Sequence, residues 1–257
     1  MEKLVVASSM SLYGEGLYRT PQGSLLPGPE RTLAQLKARD WELHDANGAA
    51  LTPVPTPETK APTLASIYAL SKYDQEQMCL MMGRAYQIPA VALRFFNVYG
   101  TRQALSNPYT GVMAIFASRL MNHNAPRIFE DGLQRRDFVS VRDVARACRM
   151  ALEAPSATGQ VFNIGSGRHY TIKELAHHIA RVMDRSDLAP EISGQYRVGD
   201  VRHCFADIGL ARQALGYEPQ VTLEEGLVEL MSWLESQVAV DRVDEAVAEL
   251  SARGLTV

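Results

Sequence analysis

Nearly uninterrupted apolar runs alternate with helical patterns along this chain. Residues 4–7 (LVVA) and 90–95 (AVALRF) are typical of parallel strands covered on both faces, because such strands need not alternate apolar with polar positions. Between them, residues 66–87 predict a helix packed along one side by Leu70, Met78, Cys79, Met81, Met82 and Ala85. A helix that connects two such strands predicts an α/β fold with a parallel sheet.

The chain after residue 100 continues this pattern. We expect helices over 111–122 and 223–237, a helix from Val141 with Ser140 as its N-cap, and another with Thr171 as its N-cap. Short strands are predicted over 126–130 and 160–167. Since the strands over 4–7 and 90–95 lack earlier partners in the sequence, both are expected to expose an edge.

Residues 15–62 interrupt the alternation. Prolines and glycines are spread through them, and only residues 31–43 carry a weak helical pattern. The segment is predicted to be a long loop inserted between the first strand and the first helix.

Composition and charge exclude several classes of function. The 257 residues carry 26 basic and 29 acidic side chains, a net charge of −3, so no charged surface is expected to recruit nucleic acid or a membrane. Three widely spaced cysteines cannot form a disulfide framework, which favours a reducing, cytoplasmic location. No metal site is predicted: the three cysteines provide no pair for a metal knuckle, and the adjacent His177 and His178 point about 100° apart on a helix. The alternating arginines and aspartates of 131–149 predict a solvated, salt-bridged face.

A candidate general base lies at the start of the helix over 66–87. Tyr68 and Lys72 are four positions apart, so they project from one face, and an ammonium near a phenol favours the phenolate form. The polar turn at residues 8–11 follows a buried strand, where open α/β sheets place their ligands, and its hydroxyls can hold a substrate oxygen. Either feature alone occurs by chance: the pair in many helices, the turn as a solvated loop.

Several motifs in order resemble the extended short-chain dehydrogenase/reductases that act on nucleotide sugars. They are VVASSMSLYGEG, YALSK, LRFFNVYG, GLQRRDFVSVRDVA, VFNIGSG and YRVGDVRHCFAD, and together they extend from residue 3 to about residue 236. The resemblance implies part of a Rossmann-type parallel sheet over 1–105, a mainly substrate-binding portion over 106–236 with some strands returning to that sheet, and a tail over 237–257.

The resemblance also assigns roles to individual residues. It implies that Ser9, Tyr68 and Lys72 are catalytic. For NAD it implies contacts from Ala7, Ser8, Tyr68, Lys72, Phe95 and Asn97. For a nucleotide-diphosphate sugar it implies contacts from Ser9, Met10, Asn97, Val112, Arg136, Arg197 and Asp200, with Arg136 and Arg197 at the diphosphate. It further implies a homodimer.

The turn after the first strand selects among the reactions of this family. The 4,6-dehydratases carry an acid pair directly after the catalytic hydroxyl, and this pair transfers the protons of the dehydration. Met10 and Ser11 occupy the two positions here, and neither can transfer those protons. Epimerisation at C4 through transient NAD-dependent oxidation to a keto sugar is the remaining expectation. The long separation of Ser9 from Tyr68 is similar to that of dTDP-L-rhamnose 4-epimerases, and a UDP-hexose stays open as the substrate.

The glycine-rich turn that cradles a dinucleotide pyrophosphate has no match in the chain. Gly165 and Gly167 imitate it, but Tyr170 stands where the third glycine belongs. The sequence is therefore interpreted as an N-terminally shortened member of the family. Two alternatives stay open: a non-catalytic remnant that binds sugar nucleotides, and an NADP-dependent keto-sugar reductase.

Overall fold

The computed structural model describes residues 2–103, 111–197, 199–234, 237, 248 and 251–252. The strands are, in chain order, β1 (Leu4–Ser9), β2 (Leu17–Arg19), β3 (Leu25–Pro27), β4 (Thr52–Val54), β5 (Ala90–Phe95), β6 (Asn97–Tyr99), β7 (Arg127–Ile128), β8 (Arg135–Arg136), β9 (Phe138–Ser140), β10 (Val161–Ile164), β11 (Tyr170–Thr171), β12 (Glu191–Ile192) and β13 (His203–Cys204). The α-helices are α1 (Leu33–Lys37), α2 (Ile67–Tyr86), α3 (Val112–Met121), α4 (Val141–Glu153), α5 (Ile172–Val182), α6 (Gly209–Leu215) and α7 (Leu223–Leu234).

The central sheet is parallel, with strand order β1, β5, β10. Val91 and Ala92 of β5 lie on opposite faces and are both fully buried, which confirms for β5 the prediction of a strand covered on both faces. For β1 the prediction is wrong, because Leu4, Val5 and Val6 are only partly buried and Ala7 is exposed. The expectation that β5 would expose an edge is wrong, because β10 returns from later in the chain to pair with it. Since the carboxyl ends of the three strands lie at the same edge, the side chains that follow them are brought together there.

Residues 15–62 are folded, so the prediction of a long loop is wrong. β2 lies between β3 and β4 in a small antiparallel sheet, and Tyr18, Leu43 and Leu51 are buried together. Prolines 27 and 53 lie in the two edge strands, where a residue without an N–H is tolerated, so they do not exclude a sheet. The weak helical pattern over 31–43 becomes the short α1.

Helix α2 buries a different face from the one predicted. Met78, Met81 and Met82 are each about half exposed, and the buried residues of the helix are Ala69, Glu76 and Leu80. Apolar residues occur on all sides of α2, so the spacing of its apolar positions does not show which side packs against the sheet. The outward face of α2 is an exposed apolar surface.

The later helices form a second layer of core. α3, α5 and α7 bury apolar side chains against one another, around Phe116, Leu175 and Leu227. Both predicted N-caps are confirmed: the Ser140 side chain accepts from Arg142 N–H, and Thr171 forms a capping box with Glu174. None of the helices among the described residues is long and apolar enough to cross a membrane.

Candidate active site

The turn after β1 presents the predicted catalytic serine. Ser9 caps a 3-10 turn over Met10–Tyr13, and its Oγ accepts hydrogen bonds from the backbone N–H and the hydroxyl of Ser11, at 3.1 and 2.9 Å. Gly14 ends the turn at a φ of +61°, and a Cβ there would meet the Thr63 carbonyl oxygen at 2.7 Å. The turn is therefore fixed in shape, with the Ser9 hydroxyl at the carboxyl edge of the sheet.

Lys72 fastens the start of α2 to the same edge. Its ammonium donates to the Ala7 carbonyl oxygen at 3.1 Å and to Gln75 Oε1 at 3.3 Å. Tyr68, one turn earlier, is 57% exposed. The structure thus brings the Tyr/Lys helix to the end of β1, beside Ser9, and leaves the phenol open to a ligand.

Ser8, a predicted cofactor contact, points into the protein. Its Oγ donates to Glu76 Oε2 at 2.6 Å, and Arg94 of β5 forms two hydrogen bonds with the same carboxylate, at 2.9 and 2.7 Å. The Arg94 guanidinium also donates to the hydroxyl of Tyr13 at 2.9 Å. This buried group of polar side chains joins β1, β5 and α2, and it leaves only the backbone of Ser8 for a cofactor.

Phe95 and Asn97 lie beside the turn after β1. Phe95 is the register partner of Ser9, at the end of β5. The Asn97 amide donates to the Asp137 carbonyl oxygen at 2.9 Å and contacts Met10 Sδ at 3.6 Å. The residues predicted around the nicotinamide and the reacting sugar are therefore brought together.

The structure does not gather the predicted diphosphate residues into one cluster. Arg136 of β8 donates to the carbonyl oxygens of Val201 and Arg202, the latter at 2.9 Å. The Arg197 guanidinium carbon lies 4.9 Å from the centre of the Phe129 ring, and its buried Nε has no hydrogen-bond partner among the described residues. Asp200 is exposed.

Val112, another predicted substrate contact, begins α3 and packs in part against the core of the second layer. No interaction in the described residues joins it directly to Ser9 or Tyr68. Its predicted contact with a nucleotide stays a prediction.

The largest charged cluster near these residues was missed by the sequence interpretation. Arg202 is fully buried, and its guanidinium pairs with Glu42 at 2.6 Å, Glu130 at 2.8 Å and Asp131 at 2.7 Å. Arg31 pairs with the other oxygen of Glu130 at 2.8 Å. Arg31 and Glu42 lie in the segment assigned to a loop, where a charged residue gives no sign of burial. Arg202 lies in one of the quoted motifs, but the resemblance gave it no role.

The cluster also shifts pKa values. His203 Nδ1 accepts the Arg135 backbone N–H, so the ring proton is on Nε2, which lies 3.1 Å from Glu42. Burial opposes ionisation of Glu42, but hydrogen bonds from His203 and Arg202 prevail and lower its pKa to about 2. Burial lowers the pKa of His203. Glu42 therefore stays ionised and His203 neutral near pH 7.

Two aspartates expected on a solvated face are buried. Asp137 is buried completely and accepts hydrogen bonds from the backbone N–H groups of Ser166 and Gly167, at 2.7 and 3.1 Å. Burial raises its pKa to about 6. Asp143 accepts from the backbone of residues 220 and 221. Backbone N–H groups replace water around these carboxylates, which a charge pattern does not reveal.

Cys204, predicted to be core packing, is buried as expected.

A parallel sheet with polar side chains at its carboxyl edge, and a tyrosine and a lysine on the adjoining helix, define a Rossmann-type α/β domain. Residues 47–165 match the profile of the NAD dependent epimerase/dehydratase family. The matched range includes the Tyr68–Lys72 helix, β5 and β10.

Similar proteins include sugar-nucleotide epimerases. The chain is 34% identical over 238 residues to dTDP-L-rhamnose 4-epimerase of Burkholderia thailandensis, covering 93% of this chain and 64% of the relative. It superposes with a TM-score of 0.73 and 28% identity on UDP-N-acetylglucosamine 4-epimerase from Methanobrevibacter ruminantium in complex with UDP-N-acetylmuramic acid, covering 93% of this chain and 64% of that one. For UDP-glucose 4-epimerase from Thermotoga maritima with UDP-glucose, the TM-score is 0.67 at 31% identity, with coverage of 91% and 64%. The chain thus spans somewhat less than two thirds of the length of these relatives.

Proposed function

We propose that this chain supplies the general base and the sugar-nucleotide site of an NAD-dependent nucleotide-sugar 4-epimerase. The observation that carries the proposal is the bond from the Lys72 ammonium to the Ala7 carbonyl, which holds the Tyr68 helix against the strand that ends at Ser9. A base, a positioning cation and a hydroxyl donor then border one point at the edge of the sheet.

The open side of this point fits the nicotinamide riboside of NAD. Tyr68 is exposed there and Lys72 is partly exposed, so both can donate to ribose hydroxyls, and Phe95 and Asn97 border the same edge. When bound, NAD supplies the acceptor and donor of hydride. Tyr68 Oη would take the proton of the sugar 4-hydroxyl and later return it, while Ser9 Oγ holds the same oxygen by a hydrogen bond.

The substrate is proposed to be a dTDP-linked 6-deoxyhexose or a UDP-hexose. The identity to the Burkholderia dTDP-L-rhamnose 4-epimerase favours the first, and the likeness to UDP-sugar epimerases favours the second. Arg136 and Arg197 carry the positive charge for the diphosphate. A homodimer is part of the proposal, supported by the exposed apolar face of α2, and a cytoplasmic location stays a prediction.

The test uses the chain with added NAD, and NMR to follow the C4 epimers of dTDP-L-rhamnose and UDP-glucose. Tyr68→Phe removes the proton acceptor, so we expect kcat to fall by about 10²-fold or more with nucleotide affinity unchanged. Tyr86→Phe is the matched control, because Tyr86 is also exposed on α2 but at its other end. Undiminished turnover in Tyr68→Phe would remove Tyr68 as the base.

The same experiment separates the alternatives. A remnant binds nucleotide sugars without turning them over. A reductase given oxidised cofactor runs in reverse, and it forms reduced cofactor in proportion to the keto sugar. An epimerase interconverts its substrate and the C4 epimer of that substrate with no net change in NAD.

A further inference from the structure

A cavity of about 630 Å³ lies between the folded insertion and the candidate active site. Besides Gly14 and Glu15, three segments form its walls: residues 63–65 directly before α2, residues 199–201, and residues 28–36 of the insertion. Its volume falls within the range of about 300–1,000 Å³ that is usual for small-molecule sites. Ser9, Tyr68 and Lys72 do not line the cavity, but one of its walls is bonded to the turn after Ser9 and another to Arg136.

The wall at 63–65 is fixed to the turn that follows Ser9. The Thr63 backbone N–H donates to the Leu12 carbonyl at 2.8 Å, and the Lys60 ammonium donates to the Tyr13 carbonyl at 2.5 Å. The wall at 199–201 is fixed to the proposed diphosphate residue, since Arg136 donates to the Val201 carbonyl. Two segments that line the cavity are therefore hydrogen-bonded to parts of the proposed site, one at its reacting end and one at its phosphate end.

The third wall is held in place by Arg31. Its side chain is 4% exposed, pairs with Glu130 and donates to the Asp200 carbonyl oxygen at 2.8 Å. Leu36, on the same stretch, is buried with Trp41 and Tyr196. The insertion is thus anchored directly to the segment that lines the opposite side of the cavity.

The neighbours of Arg31 present side chains of mixed character to this space. Glu30, Thr32 and Leu33 line the cavity and are all exposed, Leu33 by 50%. A carboxylate and a hydroxyl suit the hydroxyl groups of a pyranose, and a leucine suits its apolar face or a deoxy carbon. A site that pairs with particular hydroxyls rejects sugars that lack them, because its own polar groups are then left unpaired.

Resting on the proposed function, we propose that residues 30–33 of the insertion are a specificity wall for the sugar ring of the bound nucleotide sugar. The wall would contact the hexose and not the nucleoside. Residues 15–62 would then select the sugar, while the parallel sheet and α2 carry the chemistry.

The test compares binding of nucleotide sugars with binding of the nucleoside diphosphates alone. Calorimetry measures UDP-glucose and dTDP-L-rhamnose against UDP and dTDP. Leu33→Trp fills the cavity, so we expect the affinity for whichever sugar nucleotide binds to fall by roughly tenfold or more, with UDP and dTDP affinities unchanged. Leu25→Trp is the matched control, because Leu25 is exposed to a similar extent in the same insertion but does not line the cavity.

A second variant covers a folding defect in Leu33→Trp, which thermal unfolding would reveal. Glu30→Gln keeps size and exposure, and we expect it to weaken sugar-nucleotide binding by about threefold or more while sparing UDP and dTDP. Equal losses of affinity for sugar nucleotides and nucleoside diphosphates, or no loss of affinity in either variant, would overturn the proposed role of residues 30–33. Either result would leave the proposed function standing. A wild-type chain that binds none of the four probes would overturn both.

Discussion

Replacing Glu76 with glutamine should destabilise the protein far more than its position on a long, largely exposed helix suggests. Glu76 is fully buried and is one of three buried residues of α2. Its two oxygens accept from Arg94 Nη2 at 2.7 Å, Arg94 Nε at 2.9 Å and the Ser8 hydroxyl at 2.6 Å. Glutamine keeps the shape but places an NH₂ group against one of these donors and leaves the Arg94 charge uncompensated.

The expected loss follows from that geometry. Removing one member of a buried ion pair costs about 3–5 kcal/mol, because the partner charge stays buried without compensation. The control is Glu153→Gln, whose pair with Arg149 spans 3.8 Å with both side chains about two thirds exposed. Exposed pairs contribute about 0–1 kcal/mol, so the control should change little. Urea unfolding followed by circular dichroism gives both free energies.

A double variant separates the lost pair from lost packing. Glu76→Met with Arg94→Met removes both charges and refills the space, so it should be more stable than Arg94→Met alone. If Glu76→Gln costs no more than the Glu153→Gln control, the pair does not hold α2 to the sheet and the reasoning is refuted.

Two further predictions concern a buried acid and an exposed helix face. Burial raises the pKa of Asp137 to about 6, above the 3.8 of an unperturbed aspartate. Between pH 4 and 6 the folded state therefore binds more protons than the unfolded state. The contribution of Asp137 to the free energy of unfolding is lost as the pH rises through that window. The difference in unfolding free energy between wild type and Asp137→Asn should therefore fall from pH 4 to 6, by no more than about 3 kcal/mol; a flat or rising difference would contradict it. If α2 forms the proposed dimer interface, Met81→Glu should convert dimers to monomers in sedimentation velocity, whereas Leu152→Glu, equally exposed on α4, should not. A monomeric wild type, or a dimer that Met81→Glu leaves intact, would exclude the interface.

Local signals were enough for much of the fold. The apolar runs at β1 and β5 predicted parallel strands, and Ser140 and Thr171 were correctly assigned as N-caps, because capping depends on a side chain and the backbone two or three residues further on. The order of the motifs predicted a resemblance to this family, and residues 47–165 match the family's profile.

Long-range pairing decided what the sequence missed. β10 pairs with β5 from about 70 residues further on, and the two edge strands with prolines form a sheet only because β2 lies between them. The exposed face of α2 follows from Glu76, whose partners Arg94 and Ser8 lie on two different strands.

The sequence by itself determined that Tyr68 and Lys72 share a helix face, since their spacing places them on one face at any location of that helix. Only the tertiary structure decided that the Lys72 ammonium donates to the Ala7 carbonyl, that Arg202 and Glu130 form a buried ion pair, and that residues 28–36 line a cavity. The physical reason is that side-chain spacing is a local property of the backbone. Burial and charge pairing instead depend on segments that approach only when the chain has folded.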